Sequence, residues 1–281
     1  MRENMLQCPV CGAFLEKKER ALVCTEGHSF DIARQGYVNL LPVTQKHSKH
    51  PGDTRDMVAA RRAFLDQGYY APIARKVWEM LGTRLPAEPC VLDAGCGEGY
   101  YMTQLMEHFP AGCFIGVDIS KDAVRYAAGR CKSALWLTAS AAHLPMASGS
   151  MDGVMSMFAL TVPEEFNRVL KPGGWFLEVT AGRDHLMALK TLIYPEIIQK
   201  QEKNQRDYPG FVLRQEETLE FELHLTEQQE IMQLLSMTPH VFRIGKAGAE
   251  RLANTERLTD TASCVLNVYQ RLPLGEAVAA L

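Results

Sequence analysis

Several features that would narrow the class of this protein are missing from its 281 residues. No apolar run approaches the roughly 20 residues that a membrane span needs, and residues 1–7 are too few and too polar to predict a secretory signal. The formal net charge of −3 gives no global positive field, so any nucleic-acid surface would have to be local. Internal repeats and low-complexity tracts are also absent. We therefore expect a globular protein with a sizeable core and no membrane segment.

Cysteine use indicates the compartment. Several of the cysteines lie inside apolar runs, where they are expected to act as small buried hydrophobic residues. This usage favours a reducing cytoplasm over a disulfide framework. The eight cysteines are Cys8, Cys11, Cys24, Cys90, Cys96, Cys113, Cys131 and Cys264.

The first forty residues carry a metal-ligand pattern. Cys8 and Cys11 are spaced C-x2-C, and Cys24 and His28 are spaced C-x3-H, with a predicted hairpin over residues 13–23 between the pairs. Three thiolates and one imidazole match the tetrahedral ligand set of zinc, and four protein ligands close its shell. The alternative is a chance placement of cysteines in a loop. The spacing predicts a structural zinc ion, which would supply much of the folding energy of so short a module.

A glycine-rich loop stands at the centre of the chain. The apolar run 90–92 predicts a buried strand, residues 93–99 a turn, and residues 100–108 a helix. A second apolar strand over 113–117 ends at Asp118. This order predicts a βαβ unit with a ligand site at the carboxyl ends of its strands, and with an acid placed to accept hydrogen bonds from a ribose diol.

The spacing of the glycines indicates which class of ligand the loop binds. A dinucleotide fingerprint needs G-x-G-x-x-G, but its third position here is Tyr100, and the glycines are Gly95, Gly97 and Gly99. A pyrophosphate favours a bare helix N-terminus. S-adenosylmethionine instead carries an ammonium and a sulfonium, so the Asp93 carboxylate beside the loop favours it, as would that of Glu98. The alternative is a glycine loop that merely connects a strand to a helix.

Two resemblances follow from these motifs. D-x-G-x-G-x-G with a strand-end acid resembles motifs I and II of class I S-adenosylmethionine-dependent methyltransferases. Over about residues 8–240, the zinc pattern followed by HSFDIARQGYVNLLP, ARRAFLDQGYY, LDAGCGEGYY, KPGGW and DHLMALK resembles the bacterial 23S rRNA (guanine-N1)-methyltransferases. That resemblance implies a zinc module that grips a hairpin of 23S rRNA and methyl transfer to N1 of one guanine. Some family members alter macrolide sensitivity, and a homodimer is a further expectation.

The resemblance also implies site residues. Tyr70 matches a family tyrosine at the edge of the cofactor pocket, and His185 a family histidine near the cofactor. From chemistry alone, a packed tyrosine and a capping or surface histidine are good alternatives. The predicted cofactor-binding set is Tyr70, Asp93, Gly95, Gly97, Glu98, Gly99, Asp118 and His185, and the predicted zinc ligands are Cys8, Cys11, Cys24 and His28.

Alternating strands and helices predict an α/β fold with a doubly wound, mostly parallel Rossmann-like sheet. Segments 217–225 and 263–269 are expected to complete its antiparallel edge. We divide the chain into a zinc-binding RNA-recognition module (1–43), a linker with helices (44–86) and a methyltransferase domain (87–281). Basic residues in the linker and its first helix would contact RNA phosphates or only solvent; they are Lys46, His47, Lys49, His50, Arg61 and Arg62.

The methyl-acceptor side is less determined. In this fold the loop after the fourth strand, here residues 157–163, usually faces the acceptor, and Leu160 stands where relatives tend to carry proline. Glu164 and Glu165 are weak candidates for a general base, so the catalytic residue is left open. Ser140 stands where many methyltransferases place an acid for the adenine amino group. Two other functions stay open: methyl transfer to another RNA, a protein or a small molecule, and a non-catalytic zinc and nucleic-acid binding module.

Overall fold

The computed structural model describes residues 4–46, 48, 51–197 and 207–273. Its strands are β1 (Leu15–Lys18), β2 (Ala21–Cys24), β3 (Ser29–Asp31), β4 (Tyr37–Asn39), β5 (Cys90–Ala94), β6 (Cys113–Asp118), β7 (Leu135–Thr138), β8 (Met151–Met157), β9 (Leu170–Ala181), β10 (Phe211–Leu225) and β11 (Leu258–Arg271). Its helices are α1 (Arg55–Asp66), α2 (Ala71–Leu81), α3 (Tyr100–Met106), α4 (Lys121–Arg130), α5 (Pro163–Val169), α6 (Met187–Ile193), α7 (Gln228–Ser236) and α8 (Lys246–Ala253). None of these helices is long and apolar enough to cross a bilayer.

One large sheet organises the fold. Its order is β10-β11-β9-β8-β5-β6-β7-β4, with parallel pairing from β9 through β4. Strand β11 runs antiparallel to both β9 and β10. The predicted doubly wound sheet with an antiparallel edge is therefore confirmed. Because the central strands are parallel, the carboxyl ends of β5, β6 and β8 meet at one edge, where ligands bind in such folds.

The two faces of the sheet are covered differently. Residues of α2, α3 and α4 pack on one face, in a cluster with Val91 and Trp136. On the other face, Leu92 and Ile115 share a cluster with α5 and with the zinc module, including Leu6 and Leu22. Since both faces are buried, β5 is apolar except for Asp93 and has every residue buried. The zinc module thus covers part of the sheet where a second layer of helices would otherwise lie.

The N-terminal segment also adds a strand to the large sheet. Strands β1, β2 and β3 form a separate antiparallel sheet, as the predicted hairpin requires. Strand β4, which the sequence division assigns to the zinc module, pairs in parallel with β7. The backbone of Leu6 forms a bridge with Met146. The module and the methyltransferase domain therefore share a sheet edge and a buried interface.

Side-chain hydrogen bonds cap the start of three helices, α1, α4 and α7. Thr54 accepts a hydrogen bond from Met57 N at the start of α1, and Ser120 accepts one from Ala123 N at the start of α4. The T-x-x-Q pattern at residues 226–229 predicts a capping box, but the box in the structure lies one residue later. Glu227 is the cap of α7. Its side chain accepts a hydrogen bond from Glu230 N, and its own backbone N donates to Glu230 Oε2 at 3.1 Å.

Candidate metal centre and cofactor site

Four metal-ligating side chains converge in the N-terminal module. Cys8, Cys11, Cys24 and His28 each place one ligand atom within 4.8 Å of the others. The Sγ atoms of Cys11 and Cys24 are 3.7 Å apart, and Cys24 Sγ lies 3.4 Å from His28 Nδ1. A tetrahedral zinc ion with Zn–S bonds of about 2.3 Å holds two sulfurs about 3.8 Å apart, and a sulfur and a nitrogen about 3.6 Å apart. The geometry therefore fits a tetrahedral zinc ion.

Two tight turns bring the ligands together. In the first, Gly12 N donates a hydrogen bond to Cys8 O at 2.8 Å. In the second, Gly27 N donates to Cys24 O at 3.0 Å, and Cys24 N donates to His28 O at 3.0 Å. Because each turn reverses the chain within a few residues, both ligands of a pair reach the same point.

The electrostatics of Cys24 favour metal binding. Burial raises its pKa, but hydrogen bonds with His28 and Cys11 outweigh that effect and lower the pKa of Cys24 to about 7. The thiolate is the form that binds metal. A thiol that ionises near neutral pH therefore suits a zinc ligand.

The three glycines of the cofactor loop all have left-handed backbone angles, with φ of +87° at Gly95, +54° at Gly97 and +85° at Gly99. A Cβ on Gly95 would lie 2.4 Å from the Cβ of Ala159, and one on Gly99 would lie 2.6 Å from the ring of Trp136. Close packing therefore requires glycine at these two positions. Gly97 faces more open space, which lets a ligand approach its backbone.

The carboxylate of Asp118 is fixed across this loop. Gly97 N donates to its Oδ2 at 2.9 Å and Ser120 N donates to its Oδ1 at 2.7 Å. Burial raises the pKa of Asp118, and these two hydrogen bonds offset part of the rise. Each oxygen keeps a further lone pair, so the carboxylate can also accept from a ribose hydroxyl. A cavity of about 360 Å³ is lined by Ile119 and Ser120, which directly follow Asp118, and by Thr138.

Asp93 is a buried acid without a hydrogen-bond partner for one oxygen. Its side chain is 1% exposed, and its Oδ1 accepts no hydrogen bond from the described residues. Burial, together with the charges of Asp118 and Glu98, raises the pKa of Asp93 to about 8. An unsatisfied buried acceptor costs about 1–3 kcal/mol. A cationic ligand group would remove that cost, so the site fits the ammonium of S-adenosylmethionine.

Glu98 is turned away from the open side of the loop. Its Oε2 pairs with Arg130, at 2.7 Å from Nε and 2.6 Å from Nη2. Arg130 Nη1 also contacts Asp66 Oδ1 at 2.7 Å, which ties α4 to α1. The carboxylate thus has a largely buried cationic partner, with 17% of the Arg130 side chain exposed, and its predicted contact with the cofactor stays a prediction.

The structure brings Tyr70 and His185 to the same place. Tyr70 is buried, and the centroid of its ring lies 6.5 Å from that of His185 and 6.4 Å from that of Phe158. The rings of Phe158 and His185 are 6.2 Å apart with 28° between their planes. Tyr101 completes the cluster, 6.5 Å from Phe158. These four rings form an aromatic wall, named here the aromatic rim.

His185 is a neutral hydrogen-bond donor at this rim. Ser263 N donates to its Nδ1 at 3.2 Å, so Nε2 carries the proton. Burial and the nearby charge of Lys190 lower the pKa of His185 to about 4. The imidazole is therefore uncharged at neutral pH.

The loop after β8 packs directly on the cofactor loop. Ala159 lies against Gly95, and Thr161 Oγ1 donates to Glu178 Oε1 at 2.7 Å, which anchors the loop to β9. Phe158 has a φ of +53°, unusual for a residue with a side chain. Phe158 and Leu160 are exposed, at 39% and 69%. Sequence reasoning had not singled out Phe158, although an aromatic directly after a buried strand could have drawn attention to it.

Glu165 has little freedom to act as a general base. Arg168 donates two hydrogen bonds to its carboxylate at 2.8 Å, and Leu144 N donates a third at 2.8 Å. Burial raises its pKa, but these donors outweigh that effect and hold the pKa of Glu165 below its ordinary value. The carboxylate fastens α5 to the segment after β7.

Comparisons with known proteins decide the family. The family model described as "RlmA, N-terminal", a zinc ribbon, matches residues 6–49, and the model described as "Methyltransferase domain" matches residues 91–174. A 23S rRNA (guanine(748)-N(1))-methyltransferase of Streptomyces fradiae is 41% identical over 203 residues, which cover 67% of this chain and 69% of that protein. The chain belongs to the 23S rRNA (guanine-N1)-methyltransferases.

Further comparisons agree with this family. A candidate 23S rRNA (guanine-N1)-methyltransferase of Bacillus subtilis (strain 168) is 29% identical and covers 84% of this chain and 86% of that protein. A solved structure of a candidate type II methyltransferase from Anaeromyxobacter dehalogenans shares the fold, with a TM-score of 0.53, 22% identity, and coverage of 71% of this chain and 97% of that chain. The family member described here is an S-adenosylmethionine-dependent methyltransferase with a structural zinc site in its N-terminal ribbon.

Proposed function

We propose that this protein transfers a methyl group from S-adenosylmethionine to N1 of a guanine in a hairpin loop of 23S rRNA. The observation that carries the proposal is the partly exposed ring of Phe158 beside the cofactor loop, in a chain whose relatives are named for this reaction. Unstacked bases in RNA loops are commonly bound by stacking on aromatic side chains. A hairpin loop presents such bases at low cost, because they need little unpairing to reach a pocket.

The chemistry requires alignment and the loss of one proton. The bound cofactor supplies a methyl group on a sulfonium, which is already a strong electrophile. Transfer would form a bond between that methyl carbon and N1 while the sulfur–carbon bond breaks and its electron pair stays on sulfur, and the N1 proton would pass to water before or during attack. The protein holds the guanine N1 and the methyl group in line, and this alignment supplies much of the rate acceleration.

The neutral state of His185 suits a site that binds an uncharged base. Its Nε2–H can donate a hydrogen bond to a nucleobase or to the cofactor, whereas its low pKa makes it a poor proton acceptor at pH 7. Glu165 is held by Arg168. Both observations favour positioning over general base catalysis by these two residues.

The zinc module is proposed to recognise RNA around the target. Lys17, Lys18 and Arg20 are exposed around the turn of its hairpin, where they can contact phosphates. Val10, at the first zinc turn, is 60% exposed. Of the predicted linker contacts, Lys46 is exposed, while His47, Lys49 and His50 lie outside the described residues.

The division into module (1–43), linker (44–86) and methyltransferase domain (87–281) stays a prediction, as do a homodimer, a cytoplasmic location and an effect on macrolide sensitivity. All eight cysteines are free, which agrees with a reducing compartment. Sedimentation of the purified protein at several concentrations would test the homodimer.

Methyl transfer to total rRNA from a strain lacking this gene tests the proposed function. Labelled S-adenosylmethionine would be supplied, followed by nuclease digestion and mass analysis of the nucleosides. We expect labelled 1-methylguanosine in 23S rRNA, and none with the Gly97→Arg variant, whose long side chain would fill the open side of the cofactor loop. Label at any other base position, or in no RNA while cofactor binding is intact, would contradict the proposal.

A further inference from the structure

The open side of Gly97 is occupied by one side chain. A Cβ built on Gly97 would have one neighbour within 4 Å, the Nη1 atom of Arg61 at 3.5 Å. Arg61 lies in α1, and 22% of its side chain is exposed. Its guanidinium therefore stands over the loop at the position where a ligand would approach the backbone.

The charges around the loop make this cation distinctive. Asp93 and Asp118 are buried and partly buried acids at the carboxyl ends of β5 and β6, and Glu98 is a buried acid in the loop after β5. Arg130 is committed to Glu98 and Asp66. Among the described residues Arg61 forms one ion pair, with its Nη2 atom 2.5 Å from Asp53 Oδ2, and its other nitrogens keep donors for a further acceptor.

We propose that Arg61 binds the carboxylate of the methionine part of S-adenosylmethionine, and that Asp53 holds the guanidinium in position. S-adenosylmethionine has a single carboxylate. Because the pocket is rich in acids, a cationic side chain is needed to bind that carboxylate. An arginine presents a planar fork that matches a carboxylate with two parallel hydrogen bonds. In this arrangement Asp93 faces the ammonium, while Arg61 faces the carboxylate of the same ligand.

Arg62, the next residue of α1, occupies an ordinary surface position. Arg62 is 39% exposed, pairs with Asp66 one turn along the helix at 3.3 Å, and lies over the ring of Tyr126. It has no contact with the cofactor loop among the described residues. Arg62→Met therefore removes the same chemical group from the same helix without touching the loop, which makes it a matched control.

Calorimetry with two ligands tests the proposal. The wild-type protein and the Arg61→Met, Arg61→Lys and Arg62→Met variants would each be titrated with S-adenosylmethionine and with decarboxylated S-adenosylmethionine. We expect Arg61→Met to weaken binding of the complete cofactor by about 10- to 100-fold, the range for a hydrogen bond to a charged group. The decarboxylated ligand should bind Arg61→Met about as well as it binds the wild type, Arg61→Lys should recover part of the loss, and Arg62→Met should bind like the wild type.

Two results would overturn the proposal. One is an unchanged affinity of Arg61→Met for S-adenosylmethionine. The other is an equal loss for both ligands, which would assign Arg61 to loop structure. Because the titrations contain no RNA, they do not depend on the acceptor proposed above.

Discussion

The zinc module and the methyltransferase domain use the same residue type in opposite ways. In the module, hydrogen bonds lower the pKa of Cys24 to about 7, and its thiol lies with three other ligands. In the sheet, burial raises the pKa of Cys264 to about 12, and its thiol packs as an apolar group. Few residues of β1 and β3 are buried, whereas all of β5 is. The three-stranded sheet of the module therefore has little core of its own and relies on its metal and on its contact with the large sheet, whereas the domain relies on its own core.

Removing the zinc should give the largest effect. Structural zinc supplies on the order of 10 kcal/mol in small modules, so Cys24→Ser should unfold β1–β3 and reduce methyl transfer to rRNA by about 100-fold or more. Affinity for S-adenosylmethionine should change little, because its predicted ligands lie at the carboxyl ends of β5 and β6. Zinc content, amide exchange and calorimetry would check this, with Cys131→Ser as the control.

The interface between the two regions could break this expectation. The zinc module shares buried residues with the second face of the sheet. If Cys24→Ser weakens cofactor binding as much as it weakens methyl transfer, then the module supports the sheet, and the two regions are one folding unit.

A substitution in the glycine loop should damage the domain and spare the module. Gly99→Ala places a Cβ 2.6 Å from the Trp136 ring at a φ of +85°, so we expect it to lower the free energy of unfolding by about 2–4 kcal/mol. Gly129→Ala, inside α4 with no atom near its Cβ, should raise it by about 0.5–1 kcal/mol. Urea unfolding measures both, and equal behaviour of the two variants would contradict this account.

The buried acid should make the domain sensitive to pH. An ordinary Asp has a pKa of about 3.9, and in the folded protein the pKa of Asp93 is about 8. Between these values the folded state holds a proton that the unfolded state has lost, so the free energy of unfolding should fall as pH rises from about 4 to about 8. Asp93→Asn should flatten this dependence in urea titrations without cofactor.

Cofactor binding would report on the same proton. An ammonium beside Asp93 favours the ionised form, so binding at pH 7 should release on the order of one proton, measured by calorimetry in buffers of different ionisation enthalpy. Asp56→Asn, on the exposed first turn of α1, is the control and should keep the release. Unaltered proton release in Asp93→Asn would place the titrating group elsewhere.

The smallest expected effect is a difference in thiol reactivity between the cysteines of the zinc module and those of the sheet. After mild chelation at pH 7, Cys24 should be alkylated early because loss of the metal frees its thiol, and Cys264 only on unfolding of the sheet because its thiol is buried. Peptide mass analysis over time measures the order of labelling. Early labelling of Cys264 in folded protein would show that the sheet opens more readily than its burial indicates.

Local sequence patterns were enough to predict the strands and helices, the zinc-ligand pattern and the glycine loop. The predicted helix over residues 100–108 and strand over 113–117 are found as α3 and β6 within two residues of the predicted ends, since the apolar period depends on neighbours in sequence. The capping box of α7 lies one residue later than the T-x-x-Q pattern predicts, because Thr226 N donates to the Glu230 carboxylate and Glu227 takes the cap position.

By itself, the sequence determined the zinc ligand spacing, the glycine loop and the order of strands and helices, because each depends on residues within a few positions of one another. Only the tertiary structure decided that β4 joins the large sheet beside β7, that Glu98 pairs with Arg130, and that Arg61 stands over Gly97 while Arg62 does not. These contacts join residues far apart in the chain, and their choice of partner follows from packing and charge in three dimensions.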